Sequence, residues 1–221
     1  VGLDPSFPPL EQPNEAGHPG GYDVDLARQL AAQWQMETKI VALGFDSLLD
    51  AVRTAQVDSV VSAYPYDPRL TRDVRFSTPY FEAGIRLAVR NDSPLTAVEQ
   101  LADKTVAVEW GSMGDMVGRR LQRETPTLHL AQYETPEEAV QALVSDPAID
   151  ALLVDNVTLR QAQANGLPLK VIDLVLESNP YVIMMPQTAN QLQAQLETAL
   201  QTLRTNGFLE QLEERWFTQA Q

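Results

Sequence analysis

Asp150-Ala151-Leu152-Leu153-Val154-Asp155 sets four consecutive apolar residues between two aspartates. A short, unbroken apolar run of this kind is strand-sized and suits a strand buried on both faces. Just upstream, Thr135-Pro136-Glu137-Glu138 puts a hydroxyl at an N-cap, proline at the first helical position and a carboxylate at the third. That pattern satisfies the orphan N–H groups of a helix start, and Val140 and Leu143 supply its apolar face. The same rhythm runs outward in both directions. Candidate strands cover 1–3, 39–43, 58–62, 85–89, 105–108, 128–132, 150–154, 169–172 and 181–185. Between them, Asp23 opens a helix carrying Leu26, Ala27 and Leu30, and Asp46 opens another carrying Leu48, Leu49 and Val52. A long amphipathic helix over 188–205 stops at Asn206-Gly207, residues that tolerate a left-handed turn. Strands alternating with helices from end to end predict an α/β fold with largely parallel sheets.

Composition removes several function classes. The chain has 221 residues, 44% of them hydrophobic, enough for one large domain or two small ones. Its formal net charge is −14 and its only lysines are Lys39, Lys104 and Lys170, so the basic patch that nucleic acid demands is missing. No cysteine is present, which excludes disulfides, thiolate metal sites and a cysteine nucleophile. His18 and His129 stand far apart and form no ligand spacing, so no metal or cofactor is expected. No apolar run is long enough to span a bilayer. The chain opens inside an apparent strand, so any signal peptide or membrane anchor is expected to have been removed or to lie outside this sequence.

Two polar, proline-terminated segments interrupt the alternation. Arg90-Asn91-Asp92-Ser93-Pro94 follows a strand and Glu177-Ser178-Asn179-Pro180 precedes one. By composition they fit lobe crossings and ordinary surface loops equally well.

The residues Val1-Gly2-Leu3-Asp4-Pro5-Ser6-Phe7-Pro8-Pro9-Leu10-Glu11, followed by Gly21-Tyr22-Asp23-Val24-Asp25-Leu26-Ala27, resemble the periplasmic polar-amino-acid-binding proteins, the solute receptors of ABC importers. The likeness continues through Phe45-Asp46-Ser47-Leu48-Leu49, Val57-Asp58, Phe76-Ser77-Thr78-Pro79-Tyr80, Gly111-Ser112, the run 150–155, Gly207-Phe208-Leu209 and Trp216-Phe217. Each element is weak alone, and their order over nearly the whole chain is specific. The resemblance implies a two-lobed, periplasmic-binding-protein-like (type II) α/β fold. Lobe 1 would be discontinuous, 1–89 plus 181–221, and lobe 2, 90–180, inserted through two hinge crossings. It also implies a non-enzymatic receptor, monomeric, on the periplasmic or extracellular face of the membrane. Such a receptor closes on a free polar amino acid and delivers it to an ABC transporter permease.

A free α-amino acid is a zwitterion, so a site that desolvates it must offer one cation and one anion. Arginine suits the carboxylate because its planar fork pairs with both oxygens. In the family, Thr-Pro-Glu-Arg precedes the Phe of Phe-Ser-x-Pro-Tyr by six residues. Here Tyr66-Asp67-Pro68-Arg69 precedes Phe76 by seven, a departure that leaves Arg72 as a rival; Arg69 is favoured because the stretch Tyr64–Pro68 can absorb a one-residue shift. By resemblance Asp155 takes the ammonium, although an aspartate ending a strand and starting a helix is equally an N-cap. Gly111-Ser112-Met113-Gly114 forms another strand-to-helix turn, where Ser112 and the Met113 backbone would hold the carboxylate. Ser62, Ala63 and Tyr64 would offer carbonyls or a hydroxyl to the ammonium. Asp4, Phe7 and Phe45 match positions lining the side-chain pocket. Glu109, unless it points to solvent, adds a second carboxylate and favours arginine or lysine, with glutamine next. Two other readings keep the scaffold: the sensing domain of a membrane receptor or permease fusion, and a dehydratase-type enzyme. The second lacks a His, Cys or Lys near the inferred site.

Overall fold

A computed structural model of the chain describes residues 1–14 and 16–217. Over the described residues its contacts divide it into two compact units: Val1–Phe81 with 180–217, and Glu82–Asn179.

Unit 1 begins with β1 (Gly2–Leu3), the short hairpin of β2 (Gln12–Pro13) and β3 (Pro19–Gly20), helix α1 (Tyr22–Gln33), β4 (Val41–Ala42) and α2 (Phe45–Arg53). β1 pairs in parallel with β4. The expected strand over 58–62 contracts to Val60, which bridges Gly2 on one side and Met184 on the other. Its brevity follows from what comes next. Ala63 adopts a left-handed φ of 43°, and a β-ladder cannot continue through that conformation. A 3₁₀ turn (Pro68–Leu70), β5 (Val74–Phe76) and β6 (Phe81–Glu82) lead to the end of this segment.

Unit 2 holds a five-stranded sheet made of β7 (Ile85–Arg90), β8 (Thr105–Glu109), β9 (His129–Tyr133), β10 (Ala151–Asp155) and β11 (Leu169–Glu177), in the order β11-β7-β10-β8-β9. Helices α3 (Met113–Glu124), α4 (Pro136–Ser145) and α5 (Asn156–Ala164) connect its strands. Period-two alternation divides the core between the two faces. Val106, Val108, Ala151 and Leu153 pack with Val117 of α3, while Ala107, Leu152 and Val154 pack with Val140 and Leu143 of α4 and Leu159 of α5. Helices on both faces explain why these strands read as unbroken apolar runs. The sheet is nevertheless mixed. β8 pairs in parallel with β9 and β10, but β7 runs antiparallel to β10 and β11. The expectation of largely parallel sheets is corrected here for a topological reason: β7 carries the chain into this unit and β11 carries it out.

The chain then re-enters unit 1 as β12 (Pro180–Tyr181), β13 (Met184–Pro186), α6 (Asn190–Thr205) and α7 (Phe208–Phe217). The strand expected over 181–185 is therefore split between pairings with β6 and β5. Gly207 turns α6 into α7 at φ 74°, the left-handed stop anticipated from Asn206-Gly207. Tyr22, Phe81 and Phe217 meet edge-on, tilted and stacked, tying α1 and α7 to the start of β6.

Leu152 is fully buried in the α4/α5 face of unit 2. Leu152→Ala is expected to lower the stability of that unit by about 2–5 kcal/mol. Thr135→Ala, which removes the α4 cap bonded to Glu138 N–H, should cost about 1 kcal/mol. Urea unfolding of each variant measures both, and equal losses would contradict this core assignment.

Candidate functional site

The register of β8 and β10 sets Glu109 and Asp155 at the carboxyl ends of adjacent parallel strands. There the helices α3 and α5 begin, and the sheet leaves a small cavity of about 110 Å³. Glu109, Ser112, Met113, Gly114 and Asp155 line it, with Pro136 and Ala139 of α4 and apolar atoms of Ile85, Leu153 and Val154. Strand ends of open α/β sheets are where such folds bind ligands, because the connecting turns expose N–H groups there. The structure thus brings together the four unit 2 residues singled out from sequence. No lysine or arginine is among the lining residues.

Asp155 is the N-cap of α5. Its Oδ1 accepts the Thr158 N–H at 2.9 Å and its Oδ2 accepts the Thr158 hydroxyl at 2.7 Å. The capping role and the place in the cavity fall on one residue. Ser112 caps α3 in the same way, accepting from Asp115 N–H at 3.1 Å, while its hydroxyl donates to the Glu109 carbonyl at 2.8 Å. The Ser112 proton is therefore already committed, so what this turn offers an anion is the main-chain N–H groups at the start of α3. Gly114 keeps that start close to the sheet: a Cβ there would stand 2.7 Å from the Leu153 carbonyl oxygen. Asp115, 3% exposed, is held below the usual carboxylate range. Burial acts to raise it, but hydrogen bonds from Gln132, Gly111 and Arg119 outweigh that effect. Glu109 shifts the opposite way. Partial burial, then the negative charges of Asp155 and Glu137, push its carboxyl up. Glu137, read in the sequence only as part of the α4 start, acts on Glu109 by its charge from outside the cavity lining.

Unit 1 contributes a separate group of residues. Asp4 accepts the Phe45 N–H at 2.9 Å, filling the first orphan donor of α2, and its own N–H donates to Ser62 Oγ at 2.9 Å. The ring of Phe45 stacks on Tyr64 with centroids 5.4 Å apart. Phe7 and Phe45 remain 42% and 44% exposed, too open for core aromatics. Ala63 donates its N–H to Asp23 Oδ2 at 2.6 Å and to the Tyr80 oxygen at 3.1 Å. The Tyr64 carbonyl, expected to face a ligand, accepts the Val182 N–H at 2.9 Å.

Arg69 lies in the 3₁₀ turn capped by Asp67. Its Nε and one terminal nitrogen grip both Asp67 oxygens at 2.7–3.0 Å, and its side chain is 87% exposed. Arg72 is exposed in the following turn. The position six residues before Phe76 is Leu70, which packs against the core cluster of Val60 and Phe76. The extra residue of spacing thus turns an apolar side chain inward where the family pattern has its arginine.

Comparison with known proteins identifies the family and the fold. The family model "Bacterial extracellular solute-binding proteins, family 3" matches residues 1–219. The arginine-binding extracellular protein ArtP of Bacillus subtilis is 27% identical over 221 residues, spanning 99% of this chain and 85% of that protein. Substrate-binding domain 2 of Lactococcus lactis GlnP, in an open conformation, superposes with a TM-score of 0.86 at 19% identity, covering 100% of this chain and 95% of that one. An ancestral cationic amino acid solute-binding protein, AncCDT-1, gives a TM-score of 0.77 at 26% identity, with 98% and 93% covered. With its α/β architecture and a family match over nearly its whole length, the chain belongs to the bacterial extracellular solute-binding proteins of family 3.

Proposed function

We propose that the protein captures a free amino acid with a cationic side chain, arginine or lysine ahead of glutamine, and passes it as a monomer to an ABC transporter permease. One observation carries the reading: Glu109 and Asp155 share a small cavity whose lining contains no basic residue. Two neighbouring carboxylates repel each other, and a cationic ligand relieves that repulsion, whereas an acidic ligand adds to it. The Bacillus relative is named for arginine and the ancestral structure for cationic amino acids, which supports the same class. In this reading Asp155 binds the ammonium, and the N–H groups of Met113 and Gly114, at the turn that Ser112 caps, receive the carboxylate. Asp4, Phe7, Phe45 and Glu109 select the side chain, and Ser62, Ala63 and Tyr64 shape the turn beside it. Arg69 is the proposed arginine for the carboxylate. Its exposed pair with Asp67 is readily exchanged for another carboxylate, because solvated ion pairs hold little net energy.

Isothermal calorimetry against the twenty amino acids tests the class. Arginine or lysine is expected to bind, and no binding of any of them below about millimolar would refute the reading. Asp155→Asn keeps a capping oxygen and removes the charge. Ligand binding is expected to weaken by about 2–5 kcal/mol, with less than about 1 kcal/mol lost in thermal stability. If Arg72→Ala abolishes binding while Arg69→Ala does not, the carboxylate belongs to Arg72.

A pH profile adds an independent test. The Glu109 carboxyl sits above its ordinary value in the free protein, and a cationic ligand favours its ionised form. Arginine affinity should therefore fall as pH drops through the raised Glu109 range, with proton release on binding there. Glu109→Gln should flatten the profile and weaken arginine several-fold at neutral pH. Calorimetry in buffers of different ionisation enthalpy reads the proton release directly.

A further inference from the structure

Deep in unit 1, two carboxyl groups face each other with no cation among the described residues acting on them. Glu11 is 1% exposed and Asp23 is 0% exposed. Gly21 explains how they meet. Its φ of 122° and missing Cβ, which would stand 2.2 Å from the Leu10 carbonyl oxygen, let the 10–11 backbone lie directly against the start of α1. The titratable groups around Glu11 are Asp23 on α1, Asp4 after β1 and Tyr80 before β6, with the Ser62 hydroxyl beside it and Tyr22 next to Tyr80. Neither a lysine nor an arginine appears among the charges acting on the pair.

Hydrogen-bond accounting exposes the problem these residues pose. If both groups are treated as carboxylates, the Ser62 hydroxyl is the one donor beside the buried Glu11 oxygens, and Asp23 Oδ1 is a buried acceptor with none among the described residues. Two buried, unpaired anions in contact would cost far more than the fold could tolerate. Asp23 Oδ2 is better placed, since it accepts from the Ala63 N–H at 2.6 Å and from the Tyr80 hydroxyl at 2.9 Å. Asp23 is thus the stabilised anion, and Glu11 is the partner that must change.

We infer that Glu11 is protonated and donates to Asp23, so that the pair holds one shared proton, and that this pair positions the left-handed turn at Ala63. Ionising Glu11 would set a second negative charge against Asp23 and pull on the two bonds that fix the Ala63 N–H. Ala63 holds φ 43°, a conformation an alanine keeps only when its surroundings impose it. Ser62, bonded to the Asp4 N–H, precedes it, and Tyr64, stacked on Phe45, follows it. Glu11 and Asp23 are therefore positioning residues, a role that rests on the proposed function for its effect on ligand. Burial foremost, and then Asp23, push the Glu11 carboxyl up to about 10.

The sign of the resulting pH dependence is fixed. The folded protein keeps a proton that the unfolded chain loses near the ordinary value of 4.5, so stability falls as pH rises between that value and about 10. The folding equilibrium constant should drop by up to tenfold per pH unit from this one site. Urea unfolding of wild type and Glu11→Gln from pH 6 to pH 9 measures it. The glutamine amide can donate to Asp23 at every pH, so the wild-type curve should fall relative to the variant's, and parallel curves would overturn the shared proton. Infrared spectroscopy of the wild type alone gives a second readout that needs no folded variant. A protonated-carboxyl C=O band persisting at pH 8 supports the pair, and its absence overturns it. For positioning, calorimetry with arginine at pH 7 should find binding kept in Glu11→Gln and weakened at least tenfold in Glu11→Leu, which cannot donate. Undiminished binding in Glu11→Leu would overturn the positioning role. If wild type binds no amino acid, the functional reading fails while the unfolding and infrared results still decide the proton.

Discussion

Each helix that follows a strand in unit 2 begins with backbone N–H groups that have no partner of their own, and the fold meets that requirement with side chains. Ser112 caps α3, Thr135 caps α4 and Asp155 caps α5. These three turns sit at the carboxyl ends of β8, β9 and β10, so the oxygen-bearing side chains that close the helices converge on one edge of the sheet. The apolar interior makes that convergence rigid. Leu152 and Leu153 point to opposite faces and lock β10 between α3 on one side and α4 and α5 on the other. A polar site arises there because capping has already gathered polar atoms at a fixed place.

Unit 1 meets a comparable demand by longer reach. α2 has no capping side chain of its own at Gly44, and Asp4 from the loop after β1 supplies the missing oxygen to Phe45. Asp23 likewise serves the Ala63 N–H, forty residues away. Asp4 and Asp23 join segments distant in sequence, whereas Ser112, Thr135 and Asp155 close the turns they stand in. That difference explains why the loops bearing Asp4, Phe45 and Ala63 form one connected group despite the short strands beneath them.

The elements legible in the sequence are those whose cause is local. The α4 cap at Thr135 is written in four consecutive residues, and the β10 run is visible because both its faces are covered. The stop at Gly207 is likewise a property of one residue. What local pattern misses depends on partners far away. The ladder at Val60 is cut short by a turn that Asp23 and Tyr80 impose, and the antiparallel direction of β7 follows from where the chain enters unit 2. Among candidate site residues, Asp155, Ser112 and Met113 come together with Glu109 because strand ends are readable from pattern. The arginine is harder, since one extra residue before Phe76 changes which side chain turns inward, and Leu70 takes the packed position. Glu11 gives no local sign of its partner, because only folding brings it to Asp23.

The double duty of Asp155 bears on how this receptor can change. A residue that both starts a helix and lines the cavity can be exchanged only for another capping residue without loosening α5, so folding narrows the side chains that can stand there. The Glu109 side chain caps nothing and contributes to the sheet through its backbone. Under the proposed function, drift in ligand preference is channelled toward Glu109, whereas Met113 also packs against the unit 2 core. One fold can then supply receptors of many specificities by varying the positions that carry no structural load.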